Sequence, residues 1–135
     1  GFNDIRFTVL ENSNRMQLDL FENLTIDRVL FRGIPCKFER LYDSFFVELP
    51  SDIEVGSNLE LRIFYHGIPK VAKNAPWDGG FVWSKDKSGL PWIGVACQGL
   101  GASSWWPCKD HPDSRCGFAI SRCHSCWDHV CDWLF

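Results

Sequence analysis

PWDGGFVWSKDKSGLPWIGVACQGLGASSWWPCKDH, residues Pro76–His111, decides how this chain is read. It holds five of the seven Trp and two of the seven Cys. Trp is large and seldom placed on a free surface, whereas Gly marks backbone that turns tightly or is closely approached. Interleaved this densely, they predict a long Trp/Gly-rich loop region packed on a scaffold, and such loops carry function more often than regular strands do. Within it, Trp77-Asp78-Gly79-Gly80 reads as a tight turn. Phe81–Trp83 and Trp92–Cys97 read as short strands, joined by a hairpin-type turn over Asp86–Gly89. Gly99–Ala102 is small-residue backbone open to close approach, and Trp105-Trp106-Pro107 follows.

Upstream the pattern is that of short strands. Ile5–Leu10 is β-rich, and Met16, Leu18 and Leu20 alternate with polar neighbours. Ile26–Phe31 follows, broken by Gly33 and Pro35, with Cys36–Arg40 expected to pair back across that turn as a hairpin. Phe45–Leu49 and Leu59–Tyr65 complete the set. Six or so strands at this spacing predict an all-β fold, an antiparallel β-sandwich or saddle-shaped curved sheet. No stretch has a convincing helical period, and the alternating apolar positions are read as core.

At 135 residues the chain has the size of one domain. Its net charge of −3, with no basic stripe, argues against a nucleic-acid partner. No apolar run reaches the roughly 18 residues of a membrane span. Residue 1 is Gly, so the chain is expected to be partial, with the first strands of the domain lying before it; localisation is not legible.

Four of the seven Cys (Cys116, Cys123, Cys126 and Cys131) crowd into the tail, so a domain over 1–111 is set apart from an atypical Cys-rich segment over 112–135. Cys123, His124, Cys126, His129 and Cys131 contain one C-x2-C knuckle but no second half-site of standard spacing, so no metal ligand is assigned. Cys108, Asp110 and His111 invite a Cys–His nucleophile. Close spacing in sequence is poor support for a dyad, and Asp110 with His111 is read as capping a turn. There is no H-E-x-x-H, G-x-S-x-G or P-loop, so no catalytic residue is assigned either.

The motifs P-W-D-G-G-F-x-W (Pro76–Trp83), G-x-P-W (Gly89–Trp92) and C-Q-G-x-G-A-S-x-W-W-P-x-K-D-H (Cys97–His111) resemble the N-terminal β domain of M1-family zinc aminopeptidases, the group of aminopeptidase N and leukotriene A4 hydrolase. Leu18–Val29 and Gly56–Gly67 are similar too, so the likeness covers roughly residues 2–111. It implies a saddle-shaped domain packed over a thermolysin-like catalytic domain. That missing domain would carry H-E-x-x-H and the zinc, whose activated water attacks the first peptide bond. No cofactor is expected in this chain. The resemblance implies that Gln98, flanked by Gly99, binds substrate: its carboxamide oxygen accepts from the ammonium of a peptide N-terminus, and Gly99 leaves room for approach.

The implied function is a substrate-lining, non-catalytic domain, inactive alone. The competing expectation is a carbohydrate-binding β-sandwich with Trp77, Trp83, Trp105 and Trp106 as a stacking platform, which requires coplanar exposed rings. After His111 the family pattern is lost, while a one-base shift across Arg115–Cys131 permits text of strand character. The tail is therefore expected to be frameshifted. Resequencing the gene at the Arg115 codon should reveal a lost or gained base; an unbroken frame ending at Phe135 would contradict this.

Overall fold

The computed structural model describes residues 1–75, 77–97 and 99–110, and these form an all-β fold of antiparallel sheets. The first sheet has the order β1-β7-β3-β4, from β1 (Phe2–Thr8), β7 (Asn58–Gly67), β3 (Leu24–Phe31) and β4 (Ile34–Cys36). The second has the order β2-β6-β5, from β2 (Arg15–Asp19), β6 (Ser44–Glu48) and β5 (Phe38–Leu41). A separate two-stranded sheet pairs β8 (Gly80–Lys85) with β9 (Pro91–Ala96).

The alternation read from sequence is what builds the core. In β7, Leu59, Leu61 and Ile63 are buried, opposite Phe7, Ile5 and Asn3 of β1. In the second sheet Leu18 lies opposite Phe45 and Met16 opposite Val47. Leu18, Phe45, Val47, Leu61, Ile63 and Val29 are all fully buried in one hydrophobic cluster. At roughly 1.5–3 kcal/mol per buried aliphatic or aromatic side chain, this cluster is the main stabilising term.

β3 shows how period 2 survives an odd insertion. Its register shifts between Ile26 and Arg28, so Asp27 is an extra residue. Leu24 and Ile26 before the bulge, and Val29 and Phe31 after it, therefore all face inward. Arg40 of β5 also reaches inward, where Nη1 and Nη2 donate to the carbonyls of Leu24 and Leu20 at 2.9 and 2.5 Å. Burial pushes its pKa down, opposed by the nearby charges of Asp43 and Glu22.

Two sequence expectations need correction. Among the described residues seven strands precede β8, where the sequence suggested about six. The hairpin return after β3 begins earlier than Cys36: Arg32 and Gly33 turn the chain at φ 51° and 79°, and Ile34–Cys36 pairs with Phe31–Val29. Pro35 is tolerated because β4 is an edge strand. Phe38–Leu41 then crosses to the second sheet and pairs with β6, where the half-buried Phe38 packs edge-on against Phe45.

The segment after β9 is tied to the sandwich by main chain. Asp19 N–H donates to Cys108 C=O at 2.7 Å and Cys108 N–H donates back at 3.1 Å, while Phe21 N–H donates to Ser103 C=O at 2.9 Å. Asn3, buried on β1, donates from Nδ2 to Pro107 C=O at 2.8 Å. The short 3₁₀ turn Ala102–Ser104 has no cap from Gly101; Asp110 supplies it, accepting from Ser103 Oγ at 2.7 Å and Ser103 N–H at 3.3 Å.

Gly101 is what lets Asp110 reach that turn. Its φ is 81°, and a Cβ there would lie 1.8 Å from Asp110 Oδ2. Gly101→Ala should lower stability by about 1–2 kcal/mol, from the left-handed backbone cost and the displaced cap. Asp110→Ala added to it should cost less than in the parent. An unchanged thermal midpoint for Gly101→Ala would contradict the arrangement.

Candidate functional site

Site geometry begins at Asp78. Its Oδ2 accepts from Lys73 N–H at 2.6 Å, and that bond holds the carboxyl below the usual carboxylate range against the opposing effect of burial. The Asp78 turn thus fastens the chain entering β8. Gly80, at φ 116°, then passes so close to the preceding segment that a Cβ would lie 2.8 Å from both Ala72 N and Lys70 O. Only glycine fits that crossing, where Phe81 N–H donates to Lys70 C=O at 2.7 Å and Ala72 N–H to Phe81 C=O at 2.9 Å.

β8 and β9 form the expected hairpin. Its turn is closed by Asp86, whose Oδ1 accepts from Ser88 N–H at 2.8 Å and Leu90 N–H at 2.9 Å. β9 ends at Ala96 and runs directly into a turn in which Leu100 N–H and Gly101 N–H both donate to Cys97 C=O, at 3.1 and 3.0 Å. Gly99 sits on this turn at φ 74°, exposed, and a Cβ on it would meet open space. Gln98 lies outside the described residues, as do Pro76, His111 and the whole 112–135 segment with its Cys and His.

Three of the tryptophans are not packed away within the described residues. Trp77, Trp83 and Trp92 are 86%, 60% and 54% exposed. Trp105 and Trp106 are half-buried: Phe81 meets Trp105 edge-on at 5.4 Å and stacks with Trp83 at 5.8 Å. Cross-strand pairing puts Trp83 opposite Ile93 and Trp92 opposite Ser84, so the two exposed rings of the hairpin stand on opposite faces. Trp105 and Trp106 are tilted 56° to each other. A flat sugar-stacking platform requires neither arrangement.

Cys108 is buried, and the carboxylate of Asp110 is engaged with Ser103, so Asp110 serves the turn. Among the described residues no cluster of three or more His, Cys, Asp or Glu could hold a metal ion, and no helix is long and apolar enough to cross a membrane. Sequence reasoning expected an exposed apolar patch but did not place it on the hairpin. The signal was present in Val82 and Trp92 alternating with Phe81, Trp83, Ile93 and Val95, which puts apolar residues on both faces.

No protein-family profile matches the chain, and no curated protein matches it by sequence. Solved structures do match. An M1 zinc metallopeptidase from Deinococcus radiodurans superposes with a TM-score of 0.59 at 20% identity. A mutant of a two-domain M1 zinc metallopeptidase bound to L-arginine gives 0.57 at 19% identity. A mutant of the Deinococcus radiodurans enzyme bound to a Tyr-Ser-Ala substrate gives 0.53 at 21% identity. Each covers 82% of this chain, whereas the chain spans only about a quarter of theirs, 24% or 25%. The fold of residues described here is therefore similar to part of an M1 zinc metallopeptidase.

Proposed function

We propose that this chain is the N-terminal β domain of an M1-family zinc aminopeptidase, a substrate-lining and non-catalytic part of an enzyme that removes N-terminal residues from peptides. The observation that carries the reading is the conjunction of two independent likenesses. The fold matches M1 zinc metallopeptidases over 82% of the chain, and the Trp/Gly motifs of Pro76–His111 resemble the same family. Zinc in this reading belongs to a catalytic domain beyond the chain, where it supplies an activated water. The 112–135 segment, in the same reading, is a frameshifted end that replaces the domain's own continuation.

Gln98 is the residue assigned to substrate, with Gly99 beside it. A carboxamide oxygen accepts a hydrogen bond from the free ammonium of a peptide N-terminus, which distinguishes an end from an interior peptide bond. Support comes from the surroundings. Its sequence neighbours are held in place: Leu100 N–H and Gly101 N–H both donate to Cys97 C=O, and Gly99 faces open space. A substrate end can approach backbone of that kind without displacing a side chain.

The test is the uninterrupted gene product assayed with aminoacyl-nitroanilides, with and without a zinc chelator. Chelation should abolish turnover. Gln98→Ala should lower kcat/KM by about tenfold or more, the loss expected for one hydrogen bond to a charged group. A variant with unchanged kcat/KM would remove Gln98 from the site, and an enzyme indifferent to chelation would remove the family reading.

A further inference from the structure

The outer edge of β1 is open, and the parity of its hydrogen bonds says which groups stand there. Gly1 and Tyr65 exchange bonds: the ammonium donates to Tyr65 C=O at 2.8 Å, and Tyr65 N–H donates to Gly1 C=O at 3.1 Å. Val9 N–H donates to Ser57 C=O at 3.0 Å. The odd-numbered residues of β1 therefore direct their main-chain groups to β7, and Phe2, Asp4, Arg6 and Thr8 turn theirs outward. β1 is the end strand of its sheet, and among the described residues nothing is hydrogen-bonded to these outward groups. Its pairing with β7 runs from Phe2 to Thr8 without a bulge, so the edge is unbroken over its whole length.

Several other strand edges are blunted in ways that prevent pairing between molecules. β4 has three residues, one of them Pro35. On β2, Asp19 is bonded to Cys108, and Arg15 is tied to Ser13, whose Oγ donates to Arg15 C=O at 2.9 Å and accepts from Arg15 N–H at 3.3 Å. β8 has Val71 bridged to Phe81. β1 has neither proline nor bulge, only charges. Those charges stand in a fixed order on the face turned away from the core. Arg6 Nε donates to Glu60 at 2.9 Å, and Arg62 donates to Asp4 from Nε and Nη2 at 2.6 and 2.7 Å. Like charges brought opposite each other repel an incoming strand, whereas opposite charges select its register.

We propose that β1 pairs antiparallel with β1 of a second copy of this chain, across a two-fold axis at Ile5, joining two four-stranded sheets into one. Charge complementarity names the occupant. With the axis at Ile5, Asp4 lies opposite the second copy's Arg6, and Phe2 lies opposite its Thr8. Every outward N–H and C=O from Phe2 to Thr8 then gains a partner. Each row of charges reads Glu60, Arg6, then Asp4 and Arg62 of the second copy, alternating in sign across the joined sheet. An axis moved to Asp4 or to Arg6 would set that residue against its own copy and lose the alternation. On the core-facing side, half-buried Ile5 meets its own copy, and half-buried Phe7 stands opposite Asn3. The pairing follows from the edge alone and does not depend on the function proposed above.

The test is residue-resolved amide hydrogen exchange on the 135-residue chain across a dilution series, with sedimentation velocity on the same samples. The chain should sediment as a dimer when concentrated and as a monomer when dilute. The Asp4, Arg6 and Thr8 amides should be protected in the dimer and exchange freely in the monomer, whereas the Asn3, Ile5 and Phe7 amides, bonded to β7, stay protected in both. Arg6→Glu faces the second copy's Asp4 at two symmetric positions and should weaken dimerisation by about tenfold or more. Should that variant not fold, the exchange pattern of the parent chain decides alone. A monomer at every concentration overturns the proposal. So does a dimer whose Asp4 and Arg6 amides exchange freely, because it forms through another face. Protection of those amides in the dilute monomer overturns it too, because the chain then covers its own edge. A folded Arg6→Glu variant that dimerises as tightly as the parent removes the register.

Discussion

The reciprocal main-chain pair between Asp19 and Cys108, at 2.7 and 3.1 Å, joins the two parts of this molecule. On one side of it stands a sandwich whose core is complete by β7. On the other is a Trp- and Gly-rich segment with little core of its own. Around the pair gather Phe21 with Ser103, Asn3 with Pro107 and Asp110 with Asp19 and Ser103. All of these are hydrogen bonds made to or by backbone or by short side chains. They fix a segment in position although only Pro107 and Cys108 of its apolar residues are buried at the join. The aromatic rings of that segment are thereby released from holding the fold together.

That division explains what the sequence discloses. Strands whose one face is buried announce themselves, because a one-residue slip would turn Leu59, Leu61 and Ile63 to solvent. Met16, Leu18, Phe45 and Val47 are legible for the same reason. The crossing from β4 to β5 is not, since Ile34–Cys36 and Phe38–Leu41 are a few residues each and differ only in which sheet has a vacant edge. The bulge at Asp27 is equally silent, because a polar residue between Ile26 and Arg28 suits either register.

The candidate site was legible in a different way. Asp78 and Asp86 as turn-formers, and the hairpin between β8 and β9, follow from local chemistry that needs no knowledge of the rest. The exposure of Trp83 and Trp92 does not, since an apolar residue on a thin ribbon reads as core until the layers are counted. Gln98 could be singled out only by likeness to a family, because one glutamine beside a glycine carries no chemical signature. Its neighbours give the physical content: a turn closed on Cys97 C=O and an exposed Gly99.

The account stands on the claim that this turn is one wall of a cleft for peptide ends. The most direct measurement is a crystal structure of the uninterrupted gene product with a peptide bound. The account predicts the Gln98 carboxamide oxygen about 3 Å from the substrate's α-ammonium nitrogen. A bound peptide whose N-terminus is held elsewhere, remote from Gln98, would contradict the claim.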